Sequence, residues 1–372
     1  MAIQRLNITE FLNISRQFPI LDVRSPGEYM HAHIPSAYSL PLFTDEERKV
    51  VGTAYKQESK QIAVKIGLKY FGVKMVQMVE EVEQLIKKLQ PKTKEKSSTE
   101  FQPNTVLVHC WRGGMRSAGV AWLLDLYGFK VYTLAGGYKG YRNWVLAQFE
   151  KEYPFQILGG FTGSGKTEVL KAMLKRASIV IDLEGLAQHK GSAFGSLGLP
   201  PQPSQEQFEN ILANELIKSV TKGNTEGCID TQKYIWLEDE SQRIGAVTIP
   251  TVLFKQMRKK SVYFLNIPFE SRLDYINIHY GKFEKPLLVN AVIRIKKKLG
   301  GLETKTAINF LIEDNTKEAF RVLLQYYDKL YAKSLETNRE NVTQLVSKIE
   351  CEEVNDLVNA QRILSITTQL SH

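Results

Sequence analysis

One cysteine stands in a sequence context that favours a reactive sulfur. Cys110 follows the apolar run 105–109 and begins a glycine-containing loop, which leads into a helical pattern from Ala118. Backbone N–H groups of such a loop can curl around the sulfur, and the start of the helix adds partial positive charge. Arg112 and Arg116 add full charges, so a thiolate is favoured over a thiol. We therefore predict a catalytic site at Cys110, Arg112 and Arg116 rather than a buried structural cysteine.

The other two cysteines have no such surroundings. Cys228 and Cys351 are far from Cys110 and from each other, and none of the three forms a CxxC pair. This spacing favours neither a disulfide framework nor a zinc site, so no metal-ligating residues are assigned. It suits a reducing compartment, in which a thiol can remain a nucleophile.

A second motif is typical of phosphate binding. Residues 160–167 match GxxxxGK[ST], with the apolar run 156–158 before them and a helical pattern after them. Glycines let the backbone wrap around phosphate oxygens, the lysine neutralises them, and Thr167 can ligate Mg²⁺. The predicted binding residues are Gly160, Gly163, Ser164, Gly165, Lys166 and Thr167. The motif predicts binding of a diphosphate or triphosphate and leaves ATP hydrolysis open; no tightly bound cofactor is expected.

A phosphate loop of this kind needs a partner carboxylate at the end of a neighbouring strand. Two strand ends qualify: Asp182, with Glu184 close by, and the acidic run 238–240, in which we select Asp239. The pattern does not decide between them, and either set could instead cap a helix or pair with Arg243.

The elements around these motifs alternate between strands and helices. Predicted strands are residues 19–23, 105–109, 131–134 and 155–158, and predicted helices are 74–89, 118–126, 144–152 and 168–176. Such alternation predicts an α/β fold with parallel sheets. We expect two domains, 1–150 and 151–372, with Pro154 near the boundary and a strongly helical region from Thr306. The polar stretch 92–99 is predicted to be a surface loop.

The composition is that of a globular protein, and its excess of basic side chains is concentrated in one segment. The 372 residues are 43% hydrophobic and 24% charged, with a net charge of +9. No secretory h-region and no apolar run long enough to span a membrane occur, which indicates a cytoplasmic enzyme without a membrane partner. Residues 255–300 hold eleven basic side chains against three acidic ones, as expected for a polyanion-binding surface or a solvated helix face.

The first half resembles rhodanese domains. Residues 22–29 and 33–37 look like the first rhodanese signature, and the Cys110 loop with residues 134–137 looks like the second. Ordinary sulfurtransferase rhodaneses have four residues between the cysteine and the arginine that ends the loop. Here five residues separate Cys110 from the corresponding Arg116. The wider loop favours a bulkier tetrahedral anion or acceptor over simple thiosulfate chemistry.

A rhodanese-like domain with this wide loop, fused to a P-loop domain, resembles the tRNA 2-selenouridine synthase family. Further matching blocks are residues 52–57, 182–187, 189–195 and 237–245. The resemblance implies replacement of sulfur by selenium in wobble 2-thiouridine of tRNA, with selenophosphate as donor and geranyl diphosphate as the source of an S-geranyl intermediate. It makes Cys110 the residue proposed to carry selenium and Gly67 a functionally sensitive position, although Gly67 could equally be a plain backbone turn. It also allows a selenophosphate-supplying enzyme as a partner; the oligomeric state stays open.

Two other functions compete with this one. The first is an ATP-dependent sulfurtransferase or kinase acting on a small molecule, and the second is a non-catalytic module that senses phosphoanions and binds RNA. The wide loop and the basic segment favour RNA modification over the first, and the thiolate surroundings disfavour the second.

Overall fold

The computed structural model describes residues 3–89, 104–223, 234–337 and 339–369. The chain divides into two compact units, Met1–Ala147 and Gln148–His372. Each contains a five-stranded sheet whose neighbouring strands run parallel. The predicted α/β class is thus confirmed. None of the helices in the described ranges is both long and apolar enough to cross a membrane. The predicted loop 92–99 and Cys228 lie outside the described residues.

The first unit is built around the strand that precedes the cysteine loop. Its elements are β1 (Gln4–Leu6), α1 (Ile8–Ile14), β2 (Ile20–Asp22), α2 (Pro26–His31), β3 (Tyr38–Ser39), α3 (Asp45–Gln57), α4 (Lys60–Gly72), α5 (Met75–Leu89), β4 (Thr105–His109), α6 (Met115–Tyr127), β5 (Lys130–Leu134) and α7 (Gly137–Gln148). The sheet order is β1-β5-β4-β2-β3, so β4 is central and its five residues are all buried. Such runs, apolar on both faces, are typical of parallel strands covered by helices.

The apolar faces of α5 and α6 supply much of the core of this unit. Met78, Val79, Val82 and Ile86 recur at helical spacing along α5, and all four are buried. They join one hydrophobic cluster with Val106 and other residues of the central strands. This periodicity is what predicted the helix.

The second unit has a phosphate loop that joins the central strand of its sheet to the helix that follows it. Its elements are β6 (Phe155–Gly160), α8 (Lys166–Lys175), β7 (Ile179–Ile181), α9 (Leu183–Ala187), α10 (Gln205–Gly223), β8 (Ile235–Glu238), β9 (Arg243–Ile244), β10 (Val247–Thr248), α11 (Thr251–Arg258), β11 (Val262–Asn266), α12 (Phe269–Tyr280), α13 (Lys285–Arg294), α14 (Lys296–Leu299), α15 (Gly301–Ile312), α16 (Thr316–Thr337), α17 (Val342–Leu345), β12 (Val346–Glu350) and α18 (Asp356–Gln369). The sheet order is β12-β11-β6-β8-β7, with β9 and β10 as a separate antiparallel pair. From β6 the chain passes to β7 on one side of the sheet, and from β8 it passes to β11 on the other side of β6. Ligands of open α/β sheets bind where the connections diverge in this way.

The C-terminal region is helical, as predicted, and also contains one strand that the sequence did not indicate. Helices α15 and α16 account for most of it, and their buried faces form a cluster with α12 and α13. Strand β12 then pairs in parallel with β11 at the edge of the sheet before α18 begins. The strand was missed because it is short and mostly exposed, so it lacks the apolar run that marks a central strand.

Candidate active sites of the two units

The sulfur of Cys110 lies in a nest of hydrogen-bond donors at the carboxyl end of β4. Cys110 is 3% exposed, and its Sγ accepts a hydrogen bond from the backbone N–H of Gly114 at 3.3 Å. The Oγ of Ser117 lies 3.2 Å from the same sulfur, inside the first turn of α6. Burial by itself raises the pKa of the Cys110 thiol. The Ser117 and Gly114 hydrogen bonds and the charge of Arg116 outweigh it, and the pKa is lowered.

Arg116 forms an ion pair with a carboxylate. Its Nη1 donates to Glu28 Oε2 at 2.7 Å, and Arg48 Nε lies 3.0 Å from the same oxygen. Burial raises the pKa of Glu28, but the hydrogen bond and the charge of Arg116 lower it by more. The net pKa is lowered, so the carboxylate is ionised. Arg112 is exposed on the loop. The structure therefore brings both predicted arginines to the cysteine loop and adds Glu28 as a carboxylate that sequence analysis missed.

A glycine of another segment packs closely against the cysteine loop. Gly137 has a positive φ of 58°, and a Cβ there would lie 2.4 Å from both the Cys110 carbonyl oxygen and the Gly113 nitrogen. Only glycine permits this close approach. The next residue, Tyr138, donates its N–H to the Cys110 carbonyl at 2.8 Å.

A buried ion pair contacts the residue that binds the Cys110 carbonyl. Asp22 and Arg24 of the first rhodanese-like signature are both buried and paired at 2.6 Å. The Arg24 guanidinium lies over the ring of Tyr138 at 3.7 Å, which connects the signature to the residue that fixes the Cys110 carbonyl.

Gly67 lies inside α4 rather than in a turn, so the turn interpretation is wrong. It is buried, and a Cβ there would lie 3.2 Å from Cζ of Phe43. A larger residue would press on this ring, which belongs to the hydrophobic cluster that also contains Cys110. Any functional sensitivity of Gly67 would therefore act through packing.

The phosphate loop has the backbone that its glycines predict. Gly160, Gly163 and Gly165 have positive φ angles of 150°, 82° and 71°. Lys166 Nζ donates to the Gly160 carbonyl at 3.0 Å, so the ammonium lies across the mouth of the loop. The Oγ of Ser164 is buried and has no hydrogen-bond partner within the described part of the chain. The six predicted residues thus form one loop at the start of α8.

The carboxylates at Thr167 are glutamates. Thr167 Oγ1 lies 2.7 Å from Glu238 Oε1 and 3.0 Å from Glu184 Oε2. Together with Glu240 they form a group of three whose ligand atoms lie within 4.8 Å of one another. Burial, reinforced by the neighbouring carboxylates, raises the pKa of Glu184 and Glu238 and raises the pKa of Glu240 to about 7.

The two aspartates selected from the sequence have other contacts. Asp182 is the N-cap of α9, and its Oδ1 accepts from the Gly185 N–H at 2.7 Å. Asp239 is buried against Arg258, at 2.7 Å, and against Arg339 and Tyr331. Both strand ends therefore contribute to the phosphate site, but through Glu184 and Glu238, and we transfer the assignment to those residues.

A cavity of about 910 Å³ opens beside the phosphate loop. Lys166, Thr167, Glu184 and Glu240 line its polar end. Its apolar walls are aromatic and aliphatic side chains of α12 and α16 together with Phe194, and the cationic side chains of Lys190, Arg294 and Lys298 also line it. Ligand pockets of this size bind small molecules with a few polar groups at one end. Sequence analysis did not predict the apolar part, because most of its residues come from helices more than a hundred positions after the loop.

The basic segment 255–300 is not one uniform surface. Arg258 and Arg272 are buried, the first against Asp239 and the second in a two-pronged pair with Asp328 that also reaches the Thr162 carbonyl. Lys285 pairs with Asp314 at 2.6 Å. Lysines 296–298 are exposed on α14, and Lys298 also lines the cavity. Only part of the segment is therefore available to a polyanion.

Cys351 follows β12 and is buried, which raises the pKa of its thiol. Its environment is thus opposite to that of Cys110, where donors surround the sulfur. No chemistry was predicted for Cys351.

Comparison with known proteins matches both units. Residues 153–363 match the tRNA 2-selenouridine synthase AAA domain, and residues 7–143 match the rhodanese-like domain. A tRNA 2-selenouridine synthase from Sulfurovum sp. (strain NBC37-1) is 32% identical over 87% of this chain and 90% of its own length. One from Bdellovibrio bacteriovorus is also 32% identical, over 93% of this chain and 96% of its own. The chain therefore belongs to the tRNA 2-selenouridine synthase family.

Proposed function

We propose that this protein replaces the sulfur of wobble 2-thiouridine in tRNA with selenium, using selenophosphate as the donor and an S-geranyl intermediate. The observation that carries the proposal is the presence, in one chain of this family, of an activated cysteine and a phosphate loop beside an apolar cavity. The two sites match the two halves of such a reaction: activation of sulfur and delivery of selenium.

The P-loop unit is assigned to the first half. A thiocarbonyl sulfur is a poor leaving group, and its alkylation makes the attached carbon more electrophilic. As geranyl transfers to sulfur, negative charge grows on the departing diphosphate. Lys166 and the loop N–H groups are positioned to stabilise that charge, which is transition-state stabilisation.

Mg²⁺ fits the polar end of the cavity. Glu238 is fully buried, and its Oε2 has no hydrogen-bond partner among the residues that the structure describes. Three glutamates with raised pKa values lie around Thr167. A divalent cation held by Thr167, Glu184 and Glu238 would neutralise them. It would supply positive charge next to the diphosphate.

The cysteine unit is assigned to the second half. Selenophosphate attacks the geranylated base carbon through its selenium and geranylthiol leaves; water then cleaves the P–Se bond and phosphate is released. The Cys110 thiolate, stabilised by the hydrogen bonds to its sulfur, guides the incoming selenium to the base carbon. Arg112 and Arg116 bind the phosphate end of selenophosphate. Because Arg116 contacts Glu28, the donor must share or displace that carboxylate. The exposed lysines 296–298 would bind tRNA phosphates.

The test is nucleoside analysis of tRNA from cells that lack the chromosomal copy and carry one variant each. Cys110→Ser should abolish 2-selenouridine and accumulate S-geranyl-2-thiouridine, whereas Cys351→Ser, at a second buried cysteine, should behave as the wild type. Lys166→Ala should lose both products, whereas Lys171→Ala, on the exposed side of the same helix, should lose neither.

The competing function gives a different pattern. If tRNA nucleosides are unchanged in the deletion strain while the purified protein turns over ATP in a Lys166-dependent way, the small-molecule sulfurtransferase or kinase assignment replaces the present one. Selenation that survives Cys110→Ser would contradict the role given to that cysteine.

A further inference from the structure

The apolar part of the cavity begins directly at the phosphate loop. Gly163 is so close to Ile276 that a Cβ there would lie 2.7 Å from the Ile276 Cδ1. Ile276 and Tyr280 are four residues apart on α12 and both line the cavity. Residues four apart share one face of a helix, so this face leads away from the loop.

Helix α16 forms the facing wall. Phe320, Leu323, Leu324 and Tyr327 follow the spacing of one helix face and line the cavity, as does Tyr331. The Tyr331 hydroxyl accepts from the Gly160 N–H at 3.4 Å, which fixes this end of the wall at the phosphate loop. From Tyr331 back to Phe320, at 1.5 Å per residue, the wall extends about 16 Å.

Three aromatic rings pack together where this wall ends. Phe194 contacts Phe320 edge to face with ring centres 5.7 Å apart, and it contacts Tyr280 at 5.9 Å. Phe320 and Tyr280 are themselves 6.5 Å apart. All three line the cavity, and Phe194 and Phe320 are 6% and 2% exposed. An apolar strip, which we call the shaft, thus leads from the phosphate loop to this aromatic cluster. The cavity is also lined by Lys190, whose Nζ lies 5.6 Å from the Tyr280 ring centroid, and by Arg294 and Lys298.

We propose that this aromatic cluster, Phe194, Tyr280 and Phe320, sets the chain length of the allylic diphosphate that the protein accepts. This inference rests on the proposed function. The diphosphate binds at the phosphate loop, and the prenyl chain lies along α12 and α16 with its tail against the cluster. In the reaction the C1–O bond to diphosphate breaks and a C1–S bond to the thiouridine forms, so the electron pair leaves with diphosphate and the base loses its N3 proton to solvent.

The length of the shaft decides between chain lengths. The diphosphate and a ten-carbon chain share the roughly 16 Å between the loop and Phe320. One more isoprene unit adds four main-chain bonds of about 1.5 Å each, or about 5 Å of zigzag chain. That extension would collide with the buried rings. Phe320→Ala removes a six-carbon ring, which is about the size of one five-carbon isoprene unit.

The experiment compares kcat/KM for dimethylallyl, geranyl and farnesyl diphosphate with thiolated tRNA as acceptor. The wild type should prefer geranyl diphosphate. Phe320→Ala, and to a smaller degree Phe320→Leu, should raise the farnesyl-to-geranyl ratio at least tenfold. Leu324→Phe, which narrows the shaft before the cluster, should raise the dimethylallyl-to-geranyl ratio. Ile278→Ala, on the exposed side of α12 and outside the cavity lining, is the matched control and should leave the ratios unchanged.

Failure of the inference and failure of the proposed function give different results. If the wild type transfers geranyl but Phe320→Leu and Leu324→Phe leave the chain-length ratios as they were, the aromatic cluster does not select the chain. If the wild type transfers no allylic group at all, the proposed function itself is wrong. Phe320→Leu keeps an apolar side chain in the core, so the test remains decisive should Phe320→Ala fail to fold.

Discussion

The hydroxyl of Ser117 is expected to control the ionisation of Cys110. Its Oγ lies 3.2 Å from the sulfur and 3.1 Å from the Gly114 carbonyl, so its single hydrogen can point to either. An ionised sulfur attracts that hydrogen, whereas a neutral thiol does not. Ser117→Ala should therefore destabilise the thiolate selectively and raise the pKa of Cys110.

The size of the effect follows from the number of donors that remain. A hydrogen bond to a charged group contributes about 1.5–3 kcal/mol, and about 1.4 kcal/mol corresponds to a tenfold change in an ionisation equilibrium. Sulfur is a weak acceptor, and the Gly114 N–H and the Arg116 charge are retained in the variant. We therefore expect the lower end of this range, with a thiolate fraction reduced about tenfold at pH values where wild-type Cys110 is partly ionised.

The assay is a pH titration of thiolate ultraviolet absorbance in a chain whose other cysteines, Cys228 and Cys351, are serine. Absorbance is suitable because it reports the ionisation of the sulfur directly and needs no reagent to reach a side chain that is 3% exposed. Ser117→Ala should move the transition to higher pH, and Ser117→Thr, which keeps the hydroxyl, should move it less. The same variants should lose selenation first at the acidic end of its pH range. Coincident transitions for wild type and Ser117→Ala would refute the assignment of the hydroxyl as a donor to the sulfur.

Three further predictions concern stability and tRNA binding. Asp239→Asn leaves two buried arginines without a counter-charge and should lower the free energy of unfolding by about 3–5 kcal/mol in urea denaturation; a loss below 1 kcal/mol would contradict the pairing. Gly67→Ala presses on Phe43 and should lower the free energy of unfolding by about 1 kcal/mol. Gly52 is exposed in the middle of a helix, and a Cβ there would meet no described atom within 4 Å, so Gly52→Ala should raise the free energy of unfolding by about 0.5–1 kcal/mol. Replacing lysines 296–298 with glutamine should lower the slope of log K for tRNA against log salt by about 2–3; an unchanged slope would remove these lysines from the interface.

The local motifs were predictable because their chemistry depends on neighbours in sequence. The cysteine loop and the phosphate loop each need a strand, a glycine-containing turn and a helix start within about fifteen residues, so both could be located from the chain alone. Their long-range partners could not. Glu28 contacts Arg116 across 88 positions, and Arg339 reaches Asp239 across 100. No local pattern encodes such pairs, because they depend on how the elements pack.

The choice among the acidic residues after β8 follows from strand geometry. Side chains alternate between the two faces of a strand, so Glu238 and Glu240 share one direction and Asp239 points the other way. The observed contacts agree: Glu238 reaches Thr167, and Asp239 meets the two arginines. The sequence contained the alternation, but it did not reveal which face lies towards the loop.

The alternation also gives Asp239 a supporting role. Its carboxylate accepts a hydrogen bond from the Tyr331 hydroxyl, whose oxygen in turn receives the Gly160 N–H at 3.4 Å. Because burial is outweighed by the charges of Arg258 and Arg339, the pKa of Asp239 is lowered and the carboxylate stays ionised as the anchor of this chain of contacts. One face of the strand end thus presents carboxylates to the phosphate site, while the other holds α16 against the first glycine of the loop. Since the same helix carries the apolar wall of the cavity, losing Asp239 should disturb the diphosphate end and the prenyl end together.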